Sequence, residues 1–157
     1  ETLLVHQAVA KRFLTAFGER MERRGVELRG CAQTRAILKD IKSAHESDWS
    51  TEYLGLILSV KVVKDLDEAV GHIRRYGSGH SDAIVSRNAA HQKRFAASVD
   101  SACVFINTST RFADGGEFGM GAEMGISTDK LHARGPVGVR ELTTYKYVVT
   151  GRGQIRG

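Results

Sequence analysis

The apolar positions change period several times along the chain. LeuLeuVal at 3–5 is a short apolar run between polar neighbours, which predicts a buried strand. From Gln7 to Arg24, apolar residues recur at Val9, Phe13, Phe17 and Met21. That row predicts a helix facing inward along it, stopped by Gly25. Val26 to Cys31 reads as a second strand. Gln33 to Lys42 reads as a helix with Ile37, Leu38 and Ile41 inward, followed by a polar loop over Ser43–Ser50 that holds the only tryptophan, Trp49.

Leu56 to Val63 is nearly continuous in apolar and β-branched residues, the pattern of a strand covered on both faces. Asp65 caps the next helix, and Glu68 completes a capping-box-like pattern. Leu66, Ala69, Val70 and Ile73 form that helix's inner face, and Gly77 ends it. Ala83–Val85 is a strand, Asn88 caps a helix reaching about Val99, and Ala102–Ile106 is a further buried strand. Strands alternate with helices, which predicts an α/β domain with a mostly parallel sheet. Residues 107–125 are glycine-rich with little periodicity, the mark of a functional or mobile loop. Pro136 suits the first position of a short helix reaching Leu142. Thr144–Thr150 reads as a last strand, set apart from the others and suited to pairing with another subunit.

Composition narrows the class. With 157 residues, 41% hydrophobic and 26% charged, the chain has a globular balance. No apolar run is long enough for a membrane span. The opening ETLLVHQAVA lacks the basic start and cleavage site of a signal peptide, so a cytoplasmic setting is expected. Cys31 and Cys103 are too few for a disulfide framework, and the six histidines form no metal-ligand spacing, so no metal is expected. The net charge of +5 raises the prospect of an anionic partner. Yet Arg20, Arg23 and Arg24 are interleaved with Glu19, Glu22 and Glu27. Only Arg134, Arg140, Lys146, Arg152 and Arg156 form a local excess. A solvated surface explains this better than a nucleic-acid site. The start at Glu1, directly before an apolar run, reads as a cut through a longer polypeptide.

Several chemical leads fail on spacing. His80, Ser81 and Asp82 are adjacent, and neighbours in sequence cannot form a triad with one another. The Gly119–Gly121 stretch has neither the strand–turn–helix setting nor the spacing of a dinucleotide fingerprint. Cys103 lies inside a strand and reads as a buried small hydrophobe. Cys31 has only Arg29 nearby to depress its pKa. What remains is Asn107, Thr108, Ser109, Thr110 and Arg111 at a strand's carboxyl end, where α/β sheets bind ligands. Amide, hydroxyls and a planar cationic fork suit a carboxylate or phosphate. The same residues also make an ordinary capped loop with a surface arginine.

Residues 107–151 closely resemble the carboxyl-terminal part of the gamma-glutamyl phosphate reductases, a family within the aldehyde dehydrogenase superfamily. ETLLVH at the start, HSDAIVSR at 80–87 and VDSACVFIN at 99–107 resemble the same family in the same order. The resemblance implies a Rossmann-like, mostly parallel sheet of about five strands. It implies a catalytic domain over 1–125 and a tail over 126–157 that returns to the cofactor and oligomerisation region. The implied activity is NADPH-dependent reduction of L-glutamyl 5-phosphate to L-glutamate 5-semialdehyde in proline biosynthesis. It proceeds through a cysteine nucleophile expected just upstream of Glu1, so this segment alone is expected to be inactive.

By the same resemblance, Glu52 is the counterpart of a glutamate that contacts the nicotinamide ribose, although Leu54 and Leu56 depart from the superfamily's Phe and Pro. Asn107, Ser109, Thr110 and Arg111 are expected to bind substrate. Gly115, Gly116, Phe118 and Gly119 are expected to shape the loop beside it. His132 and Arg134, in LHARGP, serve either the substrate or the turn. Residues 144–150 are expected to join a homo-oligomer. Alternatives are another aldehyde or acyl dehydrogenase of the superfamily, the reductase half of a bifunctional kinase–reductase, and a noncatalytic basic binding module.

Overall fold

The structure, a computed structural model, describes residues 1–117 and 119–155. The chain divides into two compact units, Glu1–Thr110 and Arg111–Gly157. The fold is α/β with mostly parallel strands, as the alternation of periods predicts.

In the first unit, β1 (Thr2–His6), β2 (Glu27–Gly30), β3 (Lys42–Ser43) and β4 (Ile57–Val63) form a parallel sheet in the order β1-β4-β2-β3. The longest apolar run takes an interior position: β4 pairs Val60 with Leu3 of β1 on one side and with Gly30 of β2 on the other. Ser59, Val60, Val62 and Val63 are all buried, so β4 is covered on both faces. Two further strands, β5 (Ser81–Ile84) and β6 (Cys103–Ile106), pair in parallel as a second sheet.

Helix α1 (Gln7–Glu22) buries Ala10 and Leu14, while Val9 and Phe13 are each 41% exposed. This corrects the inward row read from the sequence. A strict every-fourth row winds off the helix face by about 40° per step. The face that meets the sheet runs Ala10, Leu14, Phe17, Met21 instead, and all four join Val5, Leu28, Val60 and Val62 in one core. Phe13 keeps a partner by stacking on Phe17, with centroids 5.3 Å apart.

Helix α2 (Ala32–Ile37) is shorter than its apolar spacing predicts, because Leu38 turns to extended backbone. Leu38 packs where Gly18 of α1 leaves room: a Cβ on Gly18 would lie 2.7 Å from Leu38 Cδ2. Ile37, Leu38 and Ile41 still reach the same core. The polar stretch after it is ordered, with β3 and a 3-10 turn at Glu46–Trp49.

The caps of α3 (Leu66–Tyr76) and α4 (Ala89–Ser98) form as expected. Asp65 accepts from Glu68 N at 2.9 Å, and Glu68 reaches back to Lys64 N at 2.8 Å. Asn88 accepts from Ala90 N and His91 N at 2.9 and 3.1 Å. Val70, Phe95 and Val99 centre a second core, with Ile84 and Val104 packed on it.

In the second unit, Pro136 starts no helix. It lies in β8 (Gly135–Val137), antiparallel to β7 (Gly125–Ser127) and opposite Ile126. A proline gives the ladder no N–H, so an edge position of a two-stranded ribbon suits it. The expected helix shrinks to a single turn, in which Leu142 N donates to Gly138 O at 3.3 Å. Residues 144–150 are not a strand. Extended backbone becomes a strand only when a neighbour takes its hydrogen bonds, and no described residue does so. Tyr145 and Tyr147 pack edge to face at 5.4 Å, and Val148 and Val149 are exposed.

Among the described residues, no helix is long and apolar enough to cross a membrane. Replacing the fully buried Leu14 by alanine should lower the unfolding free energy by about 2–5 kcal/mol in urea titrations. Phe13→Ala should cost about 1 kcal/mol or less. The opposite order would restore the helix face read from the sequence.

Candidate functional site

The strand ends position Asn107, the first of the expected substrate residues. Strands β5 and β6 finish level with each other, Ile84 opposite Ile106. Asn107 follows with φ 56°, a left-handed conformation that asparagine tolerates better than most side chains. Its backbone N–H donates to Ile84 O, and its side-chain oxygen accepts from Ser86 N, both at 2.8 Å. Ser86 in turn accepts Asn88 N on its hydroxyl at 3.1 Å and Gln92 Nε2 on its carbonyl at 2.6 Å. The amide oxygen of Asn107 is therefore engaged in tying two strand exits and the cap of α4 together. Thr108, Ser109 and Thr110 follow on the exposed surface. Arg111 is exposed, opens the second unit and lies in the 3-10 turn Thr110–Ala113.

In the second unit the glycine-rich loop is held by its own carboxylates. Glu123 accepts from Gly115 N, and Asp114 accepts from Gly116 N at 2.8 Å. Phe118 lies outside the described residues.

Glu52 sits on the other sheet, in the turn that enters β4. Its carboxylate is exposed and makes no hydrogen bond among the described residues. The residues around it are tethered. Thr51 Oγ1 donates to Ser47 O at 2.7 Å, and Tyr53 OH donates to Asp48 Oδ1 at 2.7 Å. Tyr53 OH also lies 2.9 Å from Ser59 Oγ of β4.

Asp48 is the hub of this turn. It is 4% exposed, and takes Arg29 Nη1 at 2.8 Å and His45 N at 2.7 Å besides Tyr53. Burial works against its charge, but hydrogen bonds from His45 N, Tyr53 and Arg29 outweigh it and hold the carboxyl down at about 2. Arg29 also bonds Glu27 at 2.8 Å and lies over the Tyr53 ring, 4.9 Å from its centroid. Periodicity could not show this cluster, because none of its members is apolar enough to mark a face. The available signal was Trp49 directly after Asp48 in a supposed polar loop, with Tyr53 just beyond its end.

The remaining leads resolve on geometry. His80 Nδ1 lies 2.7 Å from Ser81 Oγ, but Asp82 takes its hydrogen bond from Ser101, so no relay runs through the three. Cys31 and Cys103 are both half-buried free thiols. Burial pushes the Cys31 thiol up, but hydrogen bonds with Thr34 and Val62 N bring it below the usual range. Those neighbours are distant in sequence or neutral, which is why the sequence offered only Arg29. His72, between Trp49 and Tyr76, has a buried Nε2 without a hydrogen-bond partner among the described residues, and burial pushes its pKa down to about 4. Among the described residues no group of side chains could hold a metal ion.

The aldehyde dehydrogenase family profile matches residues 2–148. The chain belongs to the aldehyde dehydrogenase family. Within that family it is 59% identical over 156 residues to the gamma-glutamyl phosphate reductase of Caldanaerobacter subterraneus subsp. tengcongensis, covering 99% of this chain and 38% of the relative. It is 59% identical over 157 residues to the protein of that name from Carboxydothermus hydrogenoformans, covering 100% of this chain and 38% of the relative. The crystal structure of gamma-glutamyl phosphate reductase from Thermotoga maritima superposes with a TM-score of 0.96 at 54% identity, over 100% of this chain and 38% of that one. The Saccharomyces cerevisiae gamma-glutamyl phosphate reductase matches with a TM-score of 0.57 at 28% identity, over 83% of this chain and 36% of that one. The chain thus spans well under half the length of these relatives.

For this member of the aldehyde dehydrogenase family, Asp48→Asn should cost about 1.5–3 kcal/mol near neutral pH. A carboxyl whose pKa falls on folding stabilises above its unfolded value, 3.8, and loses that contribution as pH drops through about 2. The gap between variant and wild type in chemical denaturation should therefore narrow below pH 4. A gap constant down to pH 2 would show that Asp48 acts by packing alone.

Proposed function

We propose that this chain supplies part of the substrate and cofactor sites of an enzyme that reduces L-glutamyl 5-phosphate to L-glutamate 5-semialdehyde, a cytoplasmic step of proline biosynthesis. The observation that carries the proposal is the 59% identity across nearly the whole chain to a protein named for that reaction. The TM-score of 0.96 to the Thermotoga structure supports the same reading.

Residues 107–111 suit the substrate. Ser109 and Thr110 offer hydroxyls, and Arg111 offers a planar fork whose paired N–H groups match a carboxylate or phosphate. The left-handed turn at Asn107 and its bond to Ser86 fix where this set leaves β6. An amide fixed before the substrate arrives needs no reorganisation when charge develops on the acyl oxygen.

The nucleophile is proposed to be a cysteine upstream of Glu1. Glu1 O accepts from Ser59 N at 3.1 Å, so that approach lies at the amino end of β4, the same end as the Glu52 turn. The thiolate attacks the acyl carbon, the carbon–oxygen bond to phosphate breaks, and phosphate departs with the electron pair. Reduction of the resulting thioester gives a thiohemiacetal anion. Its carbon–sulfur bond then breaks, releasing the aldehyde and regenerating the thiolate.

A nicotinamide cofactor, NADPH in this proposal, supplies the hydride when bound. The exposed, unpartnered carboxylate of Glu52 fits ribose hydroxyls, which need an acceptor. The alternating Tyr145, Tyr147 and Val149 side chains suit pairing with a second subunit.

The test uses the full-length enzyme in reverse, with glutamate semialdehyde, phosphate and NADP⁺, following NADPH formation. Arg111→Ala should raise the substrate KM about tenfold or more, the value of a charge-assisted hydrogen bond. An unchanged KM and kcat would remove Arg111 from the site. Oxidation of other aldehydes in preference to glutamate semialdehyde would point to another dehydrogenase of the family.

A further inference from the structure

Glu52 lies on a turn with almost nothing apolar to hold it. Residues 50–52 and 54–56 are exposed, Leu54 to 90%, and Leu54 takes φ 52°, which side chains other than glycine rarely adopt. Such a turn keeps one geometry only if its polar tethers impose it. Two hydroxyls do so, one on each side of Glu52: Thr51 on Ser47 O and Tyr53 on Asp48 Oδ1, each at 2.7 Å.

The Tyr53 tether is the firmer one. Its acceptor is a buried carboxylate held from three directions, its ring lies under Arg29, and its hydroxyl also meets Ser59 of β4. Burial, together with the Asp48 charge, raises the Tyr53 pKa, so the hydroxyl keeps the proton it donates.

We propose that Tyr53, clamped on Asp48, is a positioning residue for the nicotinamide cofactor, fixing the backbone beside Glu52 so that the Glu52 carboxylate is aimed at the ribose. The inference rests on the Glu52 reading given above. Its energetic basis is pre-organisation: a carboxylate carried on a turn already fixed on both sides costs no turn freedom when the cofactor binds.

The experiment is a double-mutant cycle in the full-length enzyme, reading the NADPH Kd from nicotinamide fluorescence and, separately, the KM for glutamate semialdehyde. Tyr53→Phe should raise the NADPH Kd about five- to tenfold while moving the semialdehyde KM less than about twofold. Glu52→Gln should raise the Kd by at least as much, and the double variant should match Glu52→Gln alone, because Tyr53 then has nothing left to aim. Thr51→Val, which removes the opposite tether at an exposed position, should give the same cofactor-selective loss and serves if Tyr53→Phe does not fold. If Glu52→Gln leaves the Kd unchanged, the Glu52 reading and this inference fall together. If Glu52→Gln weakens NADPH but Tyr53→Phe and Thr51→Val do not, or the losses add in full, the positioning role alone is overturned.

Discussion

A carboxylate removed from water has to be compensated by its neighbours, and Asp48 organises the amino end of the main sheet on that condition. Desolvation alone would favour the neutral acid. Three converging donors, from β2, from the residue capping the 3-10 turn and from the turn entering β4, reverse that preference. Each donor that stabilises the charge also ties its own segment to the others. Removing a partner from such a group costs more than the pair contributes, because the remaining charge stays buried. Between α2 and β4, Leu38 and Ile41 reach the apolar core, while the turn from His45 to Tyr53 is gathered around the Asp48 carboxylate and its hydrogen bonds.

This arrangement also explains the two-sided covering of β4. One face carries Val60 and Val62 into the core under α1. The other carries Ser59, fully buried, whose hydroxyl donates to Asp48 O at 3.2 Å. A serine at the centre of an apolar strand would leave a polar group unpaired if that face were closed by hydrocarbon. Here the polar hub closes it, so fold and candidate site share the same residues.

The sequence was readable wherever a period or a cap decided the outcome. The apolar run of β4, the Asp65 and Asn88 caps, and the alternation of strands and helices all depend on local chemistry, and all appear in place. The misread elements depend on contacts from elsewhere. The inward face of α1 is set by the sheet beneath it, which a row of every fourth residue approximates only over a short span. The stretch at 144–150 has strand-forming side chains but no partner strand among the described residues. Pro136 has the torsion of a helix start and of an extended edge alike, and its pairing with β7 decides between them. The sequence pointed to Glu52 and to residues 107–111, but not to the Asp48–Tyr53–Arg29 cluster, because partners far apart along the chain leave no spacing to find.

Asn107 illustrates how narrow a site position can become. Its backbone angle suits glycine, asparagine or aspartate, while its bond to Ser86 needs a short side-chain acceptor. Glycine would keep the angle and the backbone bond to Ile84 but lose the side-chain tie to Ser86. Aspartate would keep both but bring a negative charge to the mouth proposed above to receive an anion. Chain geometry and the electrical sign of the proposed ligand thus exclude different substitutes, and asparagine is the residue left by both.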